Sequence, residues 1–415
     1  MRAYGILAAF LSVACHAGSA SAFVASGTPG ALAAPGAVQP SGVSSLAPAD
    51  LKQLATAAPV GAALVSSRGG ARAPAKEPAK GASTLLVGVY FFLWYALNIG
   101  YNITNKKALN AIALPWSISV LQLVVGSIFV LPLWMLKLRD APGLNMTNVK
   151  GLSPIAACHM LSHVCAVIGL GAGAVSFVHI VKAAEPLFTA LFSAIFLKQI
   201  FSPLVYLTLV PVVAGVALAS LKELDFKAGT TSIAPWMALQ KENAAAWVAL
   251  GGAMGSNLAA STRAILSKRS MGMDMGKNMT PENLYAVLTI MASAMLLPLS
   301  AMVEGPKIQD LWAATVTTKE KSNEIVYNTV ASGVFFYLYN EVAFRCLGVV
   351  HPVTHAVGNT FKRVFLIATS IIVFKSKLTP LAAVGSFMAI AGVLLYSLTK
   401  EWCAKQDAIK AQAHK

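Results

Sequence analysis

From about residue 83 onward, apolar runs of roughly 20 residues alternate with short polar breaks. Runs of this length with so few charges read as membrane-spanning helices. The pattern predicts ten of them, near 84–104, 114–136, 154–172, 174–197, 203–221, 244–266, 283–302, 324–347, 350–374 and 378–399. The breaks after the third and eighth runs shrink almost to nothing, so those pairs are expected to turn back as tight hairpins. No interval between runs leaves room for a soluble domain. The expected fold is an all-α polytopic membrane protein.

The apolar pattern also repeats. "AIFLKQIFSPLVYLTLVPVVAGVALAS" ends at Ser220, and "SIIVFKSKLTPLAAVGSFMAIAGVLLYS" ends at Ser397. At one constant offset Lys198 matches Lys375, Pro203 matches Pro380, Ala214-Gly215-Val216 matches Ala391-Gly392-Val393, and Ser220 matches Ser397. The fifth run thus recurs as the tenth. A unit of five crossings is odd, so its second copy enters the membrane upside down. Ten transmembrane helices as two inverted five-helix repeats are a transporter architecture, with the substrate site near the midplane between the halves. The first repeat is placed at 83–222, a linker loop at 223–243, the second repeat at 244–400 and a polar tail at 401–415.

Composition agrees. The chain is 56% hydrophobic and 12% charged, with a mean hydropathy of +0.66. A soluble domain carries about a quarter charged residues. The net charge of +16 is spread over loops and tails with no basic block, which argues against nucleic-acid binding and for an anionic ligand. The Lys and Arg bias between the two sets of loops is weak and leaves orientation open. The five cysteines show no paired spacing, and no HExxH, DxD or GxSxG motif stands in the spans. Neither a metal, a cofactor nor an enzymatic centre is expected. The pattern carries no sign of an oligomeric state.

The first 82 residues read as an address. "MRAYGILAAFLSVACHAGSASA" has one basic residue, an apolar stretch and an A-x-A end at Ala20-Ser21-Ala22, as a signal peptide at 1–22 does. Residues 23–82 are rich in Ala, Ser, Gly and Pro, basic and acid-poor, too polar and small to bury a core. They resemble a plastid transit peptide. Together the two resemble the bipartite leader of proteins bound for red-alga-derived plastids, where Phe typically follows signal cleavage, as Phe23 does here.

Charges inside the spans point to chemistry, because an ionised residue at bilayer depth costs at least about 2.5–3.5 kcal/mol. Glu341 and Arg345, four apart in the eighth run, are expected to pair with each other. Lys182 and Glu185 are three apart in "HIVKAAEPLF", and Pro186 should break the helix there. In "HAVGNTFKRVF", Lys362 and Arg363 have no acid within a turn and lie too deep in the span to snorkel. His355, Asn359 and Lys362 share a helical stripe that should face a cavity. Arg263, near the end of the sixth run, fits an interfacial or a functional role. His163 fits helix packing or ligand binding, and Tyr339 fits packing or hydroxyl donation. Fixed cations with few acids suit a compact dianion such as a phosphate ester, with Lys as a point charge and Arg as a planar fork. A cationic pocket without its anion is costly to carry through an occluded state, so obligatory exchange of anions would follow from electrostatics.

"NITNKKALN", "AVSFVHIVKAAEPLF", "YLYNEVAF" and "HPVTHAVGNTFKRVF" resemble the signature stretches of the plastid phosphate translocators, in the drug/metabolite transporter superfamily. The resemblance covers about residues 84–400. It implies strict antiport of inorganic phosphate against small phosphorylated metabolites across the innermost plastid envelope membrane. It puts the phosphate-binding cations at Lys182, Lys362 and Arg363, with Tyr339 as a hydroxyl donor. His163 and Arg263 face the rest of the substrate. The wording "PVTHAVGN" is similar to the triose-phosphate and hexose-phosphate branches, and His163 stands where the phosphoenolpyruvate branch tends to carry Asn. Ala166 stands where many triose-type members have a hydroxyl residue and where the hexose type often has Ala. Triose phosphate or 3-phosphoglycerate is the expected counter-substrate, because the leader fits a carbon exporter. Hexose or pentose phosphate, phosphoenolpyruvate and, more remotely, nucleotide sugars are the alternatives.

Overall fold

A computed structural model describes residues 84–224, 244–270, 275–350, 352–376 and 379–413. The leader expected at 1–82 and most of the linker at 223–243 lie outside the described residues. Among the described residues all regular elements are helical. In chain order they are α1 (Thr84–Ala111), α2 (Pro115–Met135), α3 (Met146–Ala172), α4 (Val175–Val181), a 3₁₀ turn (Lys182–Ala184), α5 (Glu185–Leu197), α6 (Pro203–Leu207), α7 (Val210–Glu223), α8 (Ala244–Ser270), α9 (Pro281–Val303), α10 (Gly305–Thr315), α11 (Lys319–Val349), α12 (Pro352–Phe374) and α13 (Pro380–Ala413). The expected short turns are present: two residues separate the end of α3 at Ala172 from α4, and two separate the end of α11 at Val349 from α12.

Among the described residues, eight stretches are long and apolar enough to cross a membrane: α1, α2, α3, α4 to α5, α6 to α7, α9, α12 and α13. The protein is a polytopic α-helical membrane protein. The other two long helices, α8 and α11, fall short of that hydropathy for a physical reason. On α8, Ser256, Asn257 and Ser261 are buried; on α11, Asn328, Thr329, Ser332 and Glu341 are. Their polar faces point into the bundle, where they bond to other helices. Large apolar side chains such as Phe92, Ile128, Leu207, Ile372 and Phe387 lie instead on the outside. This is the distribution expected where lipid is the solvent and helices associate through small residues and hydrogen bonds.

Several boundaries differ from those read off the apolar runs. Helix α3 starts at Met146 rather than 154, because Asn145 and Asn148 cap it reciprocally, the Asn148 amide donating to Asn145 Oδ1 at 2.8 Å and the Asn145 amide to Asn148 Oδ1 at 2.9 Å. Helix α13 continues through the residues read as a polar tail as far as Ala413. Helix α10 is an addition, since its mixed sequence carried no apolar run.

Helix α3 packs along α8 and α1 along α11, while α2 lies against both α9 and α11 and α7 against α13. The α7–α13 crossing is reciprocal. A Cβ on Gly215 would meet the backbone of Ala389 and Gly385 at 2.5 Å, and one on Gly392 would meet the Val212 side chain and backbone at 2.7 and 2.8 Å. Both Lys198 and Lys375 adopt the left-handed conformation, with φ of 52° and 51°. Ser220 and Ser397 both bond back to the carbonyl four residues earlier, at 2.8 and 2.9 Å. Gly215→Leu is expected to destabilise the purified protein by at least about 1–3 kcal/mol, since the backbones must separate to admit the side chain. Thermal unfolding in detergent would read this as a lowered midpoint, and an unchanged midpoint would contradict the crossing.

Candidate functional site

The fourth apolar stretch is broken where Pro186 required it. Pro186 has no N–H for the Lys182 carbonyl, and the chain tightens into the 3₁₀ turn, with the Glu185 amide donating to that carbonyl instead. Helix α8 serves the freed groups on either side of the break. Asn257 Nδ2 donates to the Val181 carbonyl at 2.9 Å, and Ser261 Oγ to the Glu185 carbonyl at 3.2 Å. Lys182 Nζ donates to Ser256 Oγ at 2.6 Å, and that hydroxyl donates in turn to the Ser162 carbonyl of α3 at 2.8 Å. Lys182 is thus the side chain of a deliberate interruption, held against α3 and α8.

Lys362 and Arg363 leave α12 in different directions. The Lys362 ammonium lies 4.8 Å from the centre of the Trp94 ring and 5.9 Å from that of Tyr339. Such desolvated contacts stabilise a cation by about 2 kcal/mol without neutralising it. His355 stacks on the same Trp94 ring at 4.6 Å and 17°, so two members of the expected stripe of His355, Asn359 and Lys362 meet on one ring. Arg363 is 8% exposed. Its Nη2 lies 3.6 Å from Glu185 Oε2, and its buried Nε has no partner. Glu185, three residues from Lys182 and still within electrostatic range of it, forms its ion pair with Arg363. The break turns the carboxylate toward α12, so Arg363 has an acid after all, from another helix.

Lys182, Lys362 and Arg363 lie within electrostatic range of one another, and His179, bonded to Asn102 Oδ1 at 2.8 Å, lies in range of all three. Three cations face one carboxylate, leaving two positive charges unmatched within the bundle. That excess matches a phosphate monoester or hydrogen phosphate in its dianionic form. Arg363 Nε is a donor already aimed inward and unmet.

The other expected residues surround this cluster. Tyr339 packs between Tyr101 and Phe336, with ring centres at 5.5 and 5.7 Å. His163 is buried on the Phe336 ring at 4.1 Å, with Nε2 unpartnered. Arg263 is within range of Lys182 and Tyr339, and its Nη1 lies 2.6 Å from His159 Nδ1. Glu341 and Arg345 pair as expected, at 3.0 Å, but Arg139 from the loop after α2 bonds the same carboxylate oxygen. This trio ties a loop to α11 and reads as structural.

Trp94, Ser256, His159 and Arg139 escaped sequence reasoning. His159 had a weak signal, one turn before His163 on the same face of α3. Trp94, Ser256 and Arg139 had none, because their roles exist only once distant helices meet.

Comparison with known proteins follows the same lines. The sequence profile described as "Triose-phosphate Transporter family" matches residues 85–397. The chain is 39% identical over 322 residues to the glucose-6-phosphate/phosphate translocator 2, chloroplastic, of Arabidopsis thaliana, covering 77% of this chain and 76% of that one. It is 37% identical to the triose phosphate/phosphate translocator, chloroplastic, of Solanum tuberosum, covering 80% and 73%, and 38% identical to that of Pisum sativum, covering 76% and 73%. A broken helix carrying Lys182, a Lys-Arg pair facing it and a match across nearly all the helical region have one explanation: the chain belongs to the Triose-phosphate Transporter family.

Proposed function

We propose that this protein is an antiporter exchanging inorganic phosphate for triose phosphate or 3-phosphoglycerate across a plastid envelope membrane. One observation carries the proposal: Lys182, Lys362 and Arg363 converge inside the bundle against the lone carboxylate of Glu185. The phosphate group docks there, Arg363 as a fork, Lys182 and Lys362 as point charges and the Tyr339 hydroxyl as a further donor. His163 and Arg263 meet the rest of the substrate. The relatives named as phosphate translocators support this transport class, and a transporter needs no bond-making centre.

The ten long helical stretches form two five-helix repeats of opposite orientation in this reading. The constant offset, the paired left-handed Lys198 and Lys375 and the reciprocal glycine crossing support it. So does the packing of α1 along α11 and α8 along α3, which are the same pair under exchange of the halves. The cluster then sits at the repeat interface, where alternating access presents it to either side. The leader supports delivery to a red-alga-derived plastid and, as a carbon exporter's address, the triose branch. The relatives named for glucose 6-phosphate make a hexose phosphate the first competitor to test.

Two uncompensated charges in a closed interior make the empty carrier slow to reorient. The chain from about residue 83, reconstituted in liposomes, is therefore expected to take up labelled phosphate only when the vesicles are preloaded with phosphate, dihydroxyacetone phosphate or 3-phosphoglycerate. Equal uptake into empty vesicles would sink the exchange mechanism. Glucose 6-phosphate or phosphoenolpyruvate as the best internal substrate would move the chain to another branch.

A further inference from the structure

Four arginines of the described residues have two kinds of side-chain partner. Arg139 and Arg345 share the Glu341 carboxylate, and Arg363 faces Glu185. Arg263 is held instead by His159, with Nη1 at 2.6 Å from Nδ1. A guanidinium only donates, so His159 Nδ1 must accept and carry no proton. The imidazole is therefore the neutral Nε2–H tautomer. It fixes the direction of Arg263 and leaves its charge intact, whereas a carboxylate in the same place would cancel it. His159 is itself fixed: it is 4% exposed, and its ring meets the edge or face of Tyr285 at 78° and 5.7 Å.

The position of this pair is set by α8. Ser256, which holds Lys182, and Arg263 lie seven residues apart, about 10 Å along the axis. A helical side chain leans toward its own N-terminus, so Arg263 reaches back toward the phosphate cluster. Arg263 lies within electrostatic range of both Lys182 and Tyr339, so a phosphate ester docked on Lys182 has its far end toward Arg263.

Resting on the function proposed above, we propose that His159 is a positioning residue that aims an uncompensated Arg263 at the end of the substrate remote from phosphate, so that the carrier accepts esters bearing a carboxylate there. Triose phosphates, with an uncharged end, gain little from this arrangement. Inorganic phosphate gains nothing.

The test is counter-exchange in liposomes containing the full mature chain, with KM measured separately for inorganic phosphate, dihydroxyacetone phosphate and 3-phosphoglycerate. His159→Leu removes the acceptor and is expected to raise KM for 3-phosphoglycerate roughly 10–100-fold, with phosphate and dihydroxyacetone phosphate within about twofold. His159→Asn places an acceptor near the Nδ1 position and should restore most of the affinity. His159→Asp keeps the hydrogen bond but cancels the charge, and should lose 3-phosphoglycerate as His159→Leu does. A residue that only packed helices would tolerate Asp as well as Asn, so an Asp variant with wild-type 3-phosphoglycerate affinity overturns the assignment. Equal loss of all three substrates in every variant overturns it too. If the wild-type protein exchanges no phosphate, the proposed function itself fails; if phosphate exchange is intact and 3-phosphoglycerate is not selectively affected, this assignment alone fails.

Discussion

Lys362→Ala is expected to lower phosphate exchange at least about 100-fold while leaving the protein folded. The Lys362 ammonium lies on the Trp94 and Tyr339 rings rather than on a carboxylate. Its removal therefore strands no buried counter-charge, and the rings can close over the gap. What disappears is one of the two excess positive charges that a dianion meets. Arg363→Ala should be as inactive but less stable, because it removes the ion pair that Glu185 makes with a buried guanidinium. Arg363→Lys restores charge without the planar fork and should recover only part of the rate. Initial rates in preloaded liposomes, beside thermal unfolding of the same preparations, separate these effects. Exchange by Lys362→Ala within twofold of wild type would remove the cluster from the transport path.

Glu341→Ala should give the largest loss of stability. The carboxylate, 9% exposed at its side chain, is shared by Arg139 and Arg345. Deleting it takes from two partly buried guanidiniums the carboxylate that both bond and leaves only the more distant Glu282 in range, at a cost of up to about 3–5 kcal/mol. Glu341→Gln keeps an acceptor and should lose less. A midpoint of thermal unfolding close to wild type in Glu341→Ala would mean that water or lipid headgroups already screen this trio.

Much of this was legible in the sequence where the cause is local. Apolar runs have their length dictated by the bilayer, so the helices were visible, and a proline in an apolar run breaks its helix wherever it stands, so the interruption at Lys182 was visible too. The Lys362–Arg363 pair announced itself by the cost of its position. What could not be read depends on which helices meet. Glu185 stands three residues from Lys182 yet turns to Arg363, on a helix far along the chain. Arg139 joins Glu341 from a loop whose apolar neighbours carry no hint of it. The polar faces of α8 and α11 diluted their apolar signal for the very reason that they line the interior.

The crossing of α7 and α13 has a consequence for how this chain can change over time. Gly215 leaves room for Ala389, and Gly392 leaves room for Val212, in the same arrangement read from opposite ends. Volume at this junction is therefore a joint property of positions far apart in the chain. An added methyl group on one side has to be matched by a deletion on the other, within the same molecule. Two halves that share such a seam are not free to drift apart, however much their loops and substrate-facing residues diverge. A junction of this kind retains the imprint of duplication long after the rest of both copies has lost it.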